Sequence, residues 1–374
     1  MRVGFDARWY NDSGVGTYVA ELLRALAPLR DCELVVYEDP GNLVPRLDGL
    51  PLERVPVVAR KYSLSGMLAM GTRCREDRLD VFHSPFYSVP MFGGLRKPTC
   101  PVVVTIHDLI PFLFSVDAWP KRQLVKAGYR RAARVAAEII TVSQHSAEDV
   151  VKILRVPAAR ITSIHNAVSP VEFREESSKD EEAVLRHKYG LKKPYVVAAS
   201  AHNWQTKNLK TALLALEEAK KICEREFQTV VYGPPDGLRG AGGETQWRGL
   251  DLVCTGHVSA RELAILFRHA EAFIFPPLYE GFGLPVLEAM ACGCPVVTSN
   301  GGSLKEVAGD GAQVCDPMDV RGMAEAMVAL LQRKELRERW CAAGLRRVKE
   351  FSWNAAAQQT VAVYHRAYQN WTQK

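Results

Sequence analysis

A chain of 374 residues is too long for one small hydrophobic core and has the usual size of two domains. Hydrophobic residues make up 47% of it and charged residues 24%, which excludes a disordered or a fibrous protein. The net charge of +6 is compatible with an anionic ligand or membrane surface, and no apolar stretch reaches the roughly 20 residues that a membrane-spanning helix needs.

Short apolar runs with β-branched residues alternate with helical patterns along the first half of the chain. The predicted strands are Met1–Asp6, Glu33–Tyr37, Val81–His83, Val102–His107 and Ile139–Ser143. The predicted helices are Tyr18–Leu29, Lys121–Ala137 and Ala147–Leu154. Strands this short and this apolar on both faces are typical of a parallel sheet that is covered by helices.

A charged segment interrupts this alternation, and the pattern then starts again. Residues 171–193 are rich in Glu and Lys, and we predict that they form a linker with a short solvated helix. The strands predicted after this linker are Tyr195–Ala199, Thr229–Tyr232, Asp251–Thr255, Ala272–Phe275 and Pro295–Thr298. The helices predicted there are Leu209–Arg225, Ala260–His269, Val286–Ala291 and Arg321–Lys349. Two such runs predict an α/β protein with two Rossmann-like, doubly wound domains.

The last predicted helix, Asn354–Tyr368, has Ser352 as its N-cap and is expected to cross back onto the first domain. The N-terminal domain is therefore expected to comprise residues 1–170 plus 354–374, and the C-terminal domain residues 194–353. We expect the domains to face each other across a cleft that holds the ligand, because small molecules commonly bind between domains.

The strongest functional signal is the segment that follows the strand ending at Phe275. Gly281 and Gly283 would let backbone N–H groups approach a ligand, and a helix is predicted to start near Pro285. The N-terminus of such a helix favours an anion such as phosphate. Glu280 on the loop and Glu288 one turn into the helix can accept hydrogen bonds from sugar and ribose hydroxyls. An ordinary strand–loop–helix connection with two unrelated acids is the alternative.

Glu280 and Glu288, separated by seven residues, match the E-x7-E motif of the retaining family-4 glycosyltransferases with the GT-B fold, which this chain resembles. Further segments resemble motifs of that family in the same order along the chain. They are Gly14–Gly16, which resembles the N-terminal glycine loop of the family and is expected to be a loop, Thr105–Leu109, Thr141–Ser143, Asn166–Val168 and Lys207–Leu209. The resemblance thus extends over most of the chain, but it does not specify which sugar is transferred.

The resemblance implies a role for each matching residue. Lys207 would neutralise the leaving diphosphate, and Glu280 and His107 would hold the transferred sugar, which makes these three the expected catalytic residues. The other expected donor-binding residues are Gly16, Gly281, Phe282, Gly283, Leu284, Glu288, His257 and Val258, the last two beside the nucleotide base. The family often has an arginine near the lysine. This chain has none there, and His202 is a partial substitute to consider.

The resemblance also implies transfer with retention of the anomeric configuration. No Asp-x-Asp pair occurs in the chain, so we expect no metal ion and no cofactor. The expected donor is GDP-mannose or a UDP-hexose, and the expected acceptor is a glycan, such as a growing polysaccharide, or a lipid-linked glycan. Two alternatives stay open. One is an NAD-dependent oxidoreductase that uses Gly14–Gly16, although the third glycine of that fingerprint is replaced by Val19. The other is a non-catalytic nucleotide-sugar binding protein on the same fold.

A basic helical stripe offers a possible contact with a membrane. It consists of Lys121, Arg122, Lys126, Arg130, Arg131 and Arg134 with apolar residues between them. Contact with anionic lipid headgroups and a solvated helix face are equally compatible with this pattern. The N-terminus lacks the apolar core of a signal peptide, so we expect a cytoplasmic protein, with peripheral contact at the inner membrane face as the further option. No nucleic-acid-binding module is recognisable.

Overall fold

The computed structural model describes residues 1–10, 13–92, 98–116, 118–175, 179–201 and 204–373. His202 lies outside the described residues, as does part of the segment 171–193. The chain forms two compact units. Unit 1 comprises Met1–Asn166 and Ser352–Lys374, and unit 2 comprises Ala167–Phe351.

Unit 1 is built on a seven-stranded sheet. Its strands are β1 (Arg2–Asp6), β2 (Glu33–Glu38), β3 (Glu53–Pro56), β4 (Val81–Ser84), β5 (Val102–Ile106), β6 (Glu138–Thr141) and β7 (Ile161–Ser163). They lie in the order β3-β2-β1-β4-β5-β6-β7, and every neighbouring pair is parallel. The central strands are buried on both faces, as the apolar runs predict.

The helices of unit 1 connect these strands. They are α1 (Ser13–Leu26), α2 (Leu64–Glu76), α3 (Ile110–Leu113), α4 (Trp119–Val135) and α5 (Gln144–Leu154). The apolar faces of α2, α4 and α5 pack against one side of the sheet and form a core with side chains such as Tyr129, Val104 and Ile139.

Unit 2 repeats this architecture with six strands. They are β8 (Tyr195–Ala199), β9 (Gln228–Tyr232), β10 (Leu252–Gly256), β11 (Ala272–Phe275), β12 (Val296–Ser299) and β13 (Gln313–Cys315). Their order is β10-β9-β8-β11-β12-β13, again with parallel neighbours throughout. The direction of the strand order reverses between β8 and β11, and that reversal is the topological switch point where α/β sheets commonly bind ligands.

Nine helices of unit 2 are described. They are α6 (Lys179–Tyr189), α7 (Trp204–Lys207), α8 (Leu209–Ile222), α9 (Pro235–Gly240), α10 (Ala260–Arg268), α11 (Leu284–Ala291), α12 (Leu304–Ala308), α13 (Val320–Gln332) and α14 (Lys334–Val348). The helix α6 lies in the segment 171–193 and is tied to α10 by the Lys188–Glu262 ion pair. Helices α8 and α13 cover one face of the sheet with a core that includes Leu213 and Met327.

The last helix, α15 (Trp353–Thr372), belongs to unit 1, which confirms the predicted return of the chain. Its N-cap is Ser352, whose hydroxyl accepts a hydrogen bond from the Ala355 amide. A buried hydrogen-bond chain fixes the helix to the sheet. The Tyr364 hydroxyl lies 2.6 Å from Nδ1 of His83, whose Nε2 lies 2.8 Å from the Thr105 hydroxyl.

Two predictions about local structure were wrong. The predicted helix Arg321–Lys349 is two helices, because the chain is extended at Arg333 between α13 and α14. The glycine segment Gly14–Gly16 is not a loop but lies in the first turn of α1. A Cβ at Gly16 would collide with the carbonyl oxygen of Tyr10, so this glycine is explained by close packing of the chain on itself.

Candidate active site

The switch point of the sheet in unit 2 brings the strongest sequence motif together with the predicted lysine. Lys207 lies at the end of α7, just after β8, and Glu280 lies on the loop that follows β11. Their side chains form an ion pair between Nζ and Oε2, with 21% of the lysine and 13% of the glutamate exposed. The ammonium group also lies 5.8 Å from the centre of the Phe275 ring. Two residues 73 positions apart in sequence thus form one charged centre.

The loop that carries Glu280 is held by its backbone. The Leu278 amide donates a hydrogen bond of 2.8 Å to the Thr206 carbonyl, and the Glu280 carbonyl accepts from the Ser303 amide at 3.0 Å. The Ser303 hydroxyl lies 2.7 Å from the Phe282 carbonyl. The phenyl ring of Phe282 is buried and packs edge-on against Phe351. The position of the glutamate is therefore fixed from both sides of the loop.

Asn208 fastens the lysine segment to the same loop. It adopts a left-handed conformation with φ of 55°, which asparagine tolerates better than most residues. Its amide nitrogen donates to the carbonyls of Pro276 at 2.9 Å and Pro317 at 2.7 Å. Neither Asn208 nor Ser303 was predicted to support the site. The sequence features that could have indicated these two residues are that Asn208 directly follows Lys207 and that Ser303 follows a pair of glycines.

The helix predicted near Pro285 is α11, and it begins at Leu284 with Pro285 in its first turn. Its N-cap is Gly283, whose φ of 108° requires glycine and whose position offers no side chain to cap the helix. The Gly283 carbonyl accepts from the amides of Val286 at 3.0 Å and Leu287 at 3.4 Å, and the helix dipole makes this end of α11 positive. Gly281, Phe282 and Gly283 lead directly into that end, so an anionic group is favoured beside them.

Glu288 lies one turn into α11, as predicted, and its side chain is half-buried. Burial, reinforced by the charge of Glu172, raises the pKa of this carboxyl group to about 7. Tyr232, at the end of β9, interacts electrostatically with both acids. Burial raises the pKa of its hydroxyl, and the charges of Glu288 and Glu280 raise it further. Tyr232 and Glu172 were not predicted as site residues. For Tyr232, its position at a strand end could have indicated a site residue. For Glu172, the sequence offered no such indication.

His257 and Val258 follow β10, where Gly256 turns the chain with a φ of 67°. The imidazole of His257 is exposed and the Val258 side chain is half-buried. They lie at the same edge of the sheet as Lys207. The strand β10 is two strands away from β8, so these two strands are about 10 Å apart.

His107 belongs to unit 1, where it directly follows β5. Its Nε2 donates to the Pro85 carbonyl at 3.0 Å, and its ring meets the Tyr18 ring edge-on with centres 4.9 Å apart. Burial lowers the pKa of His107 to about 4, so the ring is neutral at pH 7. Since a carbonyl only accepts, Nε2 carries the proton and Nδ1 is left as an acceptor. Asp108 caps the turn that follows, through the Ile110 amide.

The structure therefore groups six of the predicted donor-site residues around α11 and the end of β8. They are Lys207, Glu280, Gly281, Phe282, Gly283 and Glu288, with Leu284 as the first residue of the helix. His107 and Gly16 lie in unit 1. Among the residues that the structure describes, no three His, Cys, Asp or Glu side chains cluster closely enough to bind a metal ion. In the same part of the chain, no helix combines the length and the apolar character that crossing a membrane requires.

The predicted basic stripe corresponds to α4, but its six cations do not share one face. Arg131 points inward and donates to the carbonyls of Val89 at 2.8 Å and Pro90 at 2.5 Å. Lys126 and Arg130 lie over the ring of Phe112, with their cationic groups 5.3 and 5.4 Å from its centre. The outward charge of α4 is therefore smaller than the sequence pattern suggests.

Comparison with protein-family models gives two matches. Residues 181–347 match the model described as "Glycosyl transferases group 1", and residues 13–172 match "Glycosyltransferase Family 4". Among curated proteins, the chain is 28% identical to the O-antigen chain mannosyltransferase B of Escherichia coli, over 95% of this chain and 96% of that protein. It is 32% identical to the MMP alpha-(1->4)-mannosyltransferase of Mycolicibacterium hassiacum, over 73% of this chain and 67% of that one.

Solved structures resemble the fold over nearly the whole chain. Anabaena HepE in complex with UDP-glucose superposes with a TM-score of 0.76 at 16% identity, covering 97% of this chain and 98% of HepE. WaaG, a glycosyltransferase involved in lipopolysaccharide biosynthesis, gives a TM-score of 0.72 at 14% identity, covering 97% of this chain and 99% of WaaG. At these identities the likeness concerns the fold alone.

Proposed function

Because this chain belongs to the family-4 type of GT-B glycosyltransferases, we propose that it transfers a hexose from a nucleotide-sugar to a glycan or a lipid-linked acceptor. The proposed sugar is mannose from GDP-mannose, because both curated relatives described above are named mannosyltransferases. A UDP-hexose is the second candidate donor, because HepE was solved with UDP-glucose. The proposed setting is the biosynthesis of O-antigen or another polysaccharide.

The observation that carries this proposal is the charged centre at the switch point of unit 2. We assign the donor to unit 2 and the acceptor to unit 1. A diphosphate beside Lys207 carries more negative charge than the carboxylate of Glu280, so it would attract the ammonium group away from that ion pair. The carboxylate would then be available to accept hydrogen bonds from hydroxyls of the transferred sugar.

The start of α11 supplies the second part of the proposed donor site. The backbone of Gly281–Leu284 and the positive end of the helix would stabilise the diphosphate, and Glu288 would accept from the ribose hydroxyls. His257 and Val258 would lie beside the base. Departure of the nucleoside diphosphate builds negative charge on phosphate, and these preorganised groups would lower the energy of that state.

We propose that the reaction retains the anomeric configuration, with the acceptor attacking from the face that the diphosphate leaves. His107 would contribute Nδ1 as an acceptor for a sugar hydroxyl. Lys207 and the α11 N-terminus would together provide the positive charge that a divalent metal supplies in other transferases. We therefore propose metal-independent catalysis.

A thermal-shift panel tests the donor assignment. A ligand that binds only the native state stabilises it by about 2.7 kcal/mol at one hundred times its Kd. We expect GDP or UDP, and the matching nucleotide-sugar, to raise the melting temperature of the wild type, and NAD to leave it unchanged. The variant E288A should show a smaller shift with the same nucleotide. The matched control is E325Q, a change at an exposed position of α13.

The outcomes separate the alternatives. Stabilisation by NAD alone would support the oxidoreductase and contradict the proposal, as would the absence of a shift with every nucleotide. Where a nucleotide-sugar binds, release of the nucleoside diphosphate in the presence of glycan acceptors distinguishes an enzyme from a binding protein. An equal shift for E288A and the wild type would contradict the ribose role of Glu288.

A further inference from the structure

A cavity of about 520 Å³ lies on unit 1, and Arg130 and Arg134 of the predicted basic stripe are among the residues that line it. The last turns of α4 form one wall, and the end of α5 with the chain leading into β7 forms the other. Four of the lining side chains are arginines, namely Arg130, Arg134, Arg155 and Arg160, while Leu154 and Val156 supply apolar surface. None of the described residues that line the cavity is acidic.

The charge of this arginine cavity is not neutralised locally. Arg130, Arg134 and Arg155 have no carboxylate partner among the residues that the structure describes. The sequence contributes no acid to α4 itself, since residues 118–137 contain neither Asp nor Glu. Elsewhere in the chain arginines are commonly paired, as Arg54 is with Glu38 and Arg366 with Glu138. Arg130, Arg134 and Arg155 are exposed, so their charges are solvated and available to an anion in the cavity.

Helix capping explains only one of the four. Arg160 donates from its guanidinium group to the carbonyls of Ala133, at 3.1 Å, and Ala136, and so satisfies the C-terminal end of α4. Within the described part of the chain, the side chains of Arg134 and Arg155 form no hydrogen bond. Because Arg160 already counters the negative end of the helix dipole and Arg130 lies over the Phe112 ring, the charges of Arg134 and Arg155 are left to act on the cavity.

Arg155 occupies a position that normally takes another residue type. It ends α5 in the left-handed conformation with φ of 56°, where glycine or asparagine is the usual choice. A non-glycine residue there costs about 1 kcal/mol or more. The C-terminal end of a helix favours a cation, but Lys152 already provides one in the last turn of α5. Neither the backbone conformation nor the dipole of α5 therefore explains why residue 155 is an arginine.

We propose that the arginine cavity binds a phosphate group, carried by either a lipid headgroup or a soluble phosphate ester. Guanidinium groups match phosphate oxygens through paired N–H donors, and several of them around one site suit a dianionic or diphosphate group. The cavity is much larger than a phosphate ion, so the organic part of the ligand has room against Leu154 and Val156. This inference does not depend on the proposed function.

Two exposed apolar residues on α4 favour a test with lipid vesicles in addition to a soluble phosphate. Trp119 and Leu124, which are 68% and 75% exposed, lie near the start of α4, the same helix whose end forms the cavity. Between Trp119 and Arg134 the helix rises about 22 Å. An apolar contact at one end of α4 and a phosphate site at the other are compatible with a helix that lies along a membrane surface.

Arginine footprinting with phenylglyoxal measures the site directly. Modification of Arg134 and Arg155 in the full chain is followed by peptide mapping, with the exposed Arg30 as internal reference. The probes are inorganic pyrophosphate, vesicles of phosphatidylcholine with phosphatidic acid, and vesicles of phosphatidylcholine alone, all at equal ionic strength. At ten times its Kd a bound probe should slow the modification of both arginines about tenfold and leave that of Arg30 unchanged.

A charge-matched pair of variants provides the second measurement. The double variant R134A/R155A should lose at least about tenfold in affinity for the protecting probe, which corresponds to 1.4 kcal/mol. The variant R30A/R321A removes the same charge from exposed positions and should bind as the wild type does. Both changes in each variant are at the surface, and unchanged melting temperatures would verify the fold.

The two arms identify the source of the phosphate. Protection by pyrophosphate but not by either vesicle supports a soluble ester, and protection by the vesicles with phosphatidic acid but not by phosphatidylcholine alone supports a lipid headgroup. Equal modification rates with and without every probe would overturn the proposal. So would binding that R134A/R155A and R30A/R321A weaken equally, because the effect would then be one of net charge.

Discussion

Replacing Glu288 with glutamine should change how the stability of the protein depends on pH. The carboxyl group lies on α11, where burial and the charge of Glu172 raise its pKa from 4.5 to about 7. The native state therefore holds a proton that the unfolded chain releases at lower pH. Glutamine keeps the size and polarity of the side chain but cannot ionise, so E288Q isolates the effect of this one charge.

The sign follows from the protons bound in each state. Below about pH 4.5 the group is protonated whether the chain is folded or not, and Glu288 adds no pH dependence. Between pH 4.5 and about 7 the native state binds more protons, so the free energy of unfolding falls as the pH rises. Above about pH 7 the loss is complete. A pKa change of this size corresponds to about 3 kcal/mol.

Chemical denaturation at pH values from 4 to 8.5 measures this effect. We expect wild type and E288Q to have similar stability at pH 4, and E288Q to be more stable by up to about 3 kcal/mol at pH 8. E172Q should give a smaller gain in the same direction, because it removes only the second cause of the raised pKa. The control E325Q changes an exposed carboxylate and should stay within about 0.5 kcal/mol of the wild type.

Nucleotide affinity gives an independent reading of the same group. If ionised Glu288 accepts from ribose hydroxyls, the affinity of the wild type for nucleotide should rise through pH 7, and that of E288Q should be flat. Stability curves for wild type and E288Q that run parallel from pH 4 to 8.5 would refute the argument from burial. A nucleotide affinity with the same pH profile in both proteins would refute the ribose contact.

Three further predictions concern the charged centre, the metal and the last helix. K207M should lower turnover by about a hundredfold or more in a transfer assay, as losing one preorganised charge contact does, while K210A on the exposed side of α8 keeps the wild-type rate. A wild-type rate for K207M would contradict the leaving-group role. Transfer should persist in excess chelator, and its abolition, restored by Mg²⁺ or Mn²⁺, would contradict metal independence. Y364F should lower the free energy of unfolding by about 1–3 kcal/mol, because it leaves Nδ1 of His83 without its buried hydrogen-bond partner, and Y368F on the exposed side of α15 serves as control. Equal stability of these two variants would show that the buried hydrogen bond is not needed.

The central strands of both sheets could be predicted from the sequence because they are buried on both faces. The residues of β5 and β11 are apolar at every or nearly every position, and a run of that kind has no other common explanation. The start of α11 was also predictable, since Pro285 fits only the first turn of a helix and Gly283 accepts the left-handed backbone before it.

Three of the four edge strands were missed for the opposite reason. β3, β7 and β13 have three or four residues each, are half-exposed and mix polar with apolar side chains. Their pairing comes from the neighbouring strand and not from local preference. The boundary between α13 and α14 at Arg333 was also missed, because no proline or glycine marks it in the sequence.

The error at Gly14–Gly16 shows how tertiary packing decides an ambiguous signal. Two glycines after a strand usually indicate a loop, because glycine disfavours a helix interior by up to about 1 kcal/mol. Here the chain folds back so closely that the Tyr10 carbonyl fills the space of a side chain at Gly16. The glycine is required, but for a contact within the chain that no local pattern reveals.

The candidate site was predictable where its residues follow each other in the chain and was incomplete where they do not. Glu280 and Glu288 share one motif, whereas Tyr232 and Glu172 reach the same acids from a different strand and a different segment. The fold also shows that the Lys207–Glu280 ion pair is not needed to hold the loop that carries Glu280. The loop is already fixed by Thr206, Asn208 and Ser303 through backbone carbonyls and amides.

Since those hydrogen bonds hold the loop without any help from the ion pair, the charge of Lys207 is not required to position Glu280. The pair is mostly buried, so loss of the ammonium group alone leaves the Glu280 carboxylate without its counter-charge and lowers the free energy of unfolding. A lysine that is not needed to position the loop, next to the positive end of α11, is suited to meet a negatively charged ligand. K207M should accordingly cause a large loss of turnover together with a loss of stability, while the response of Glu288 to pH stays unchanged.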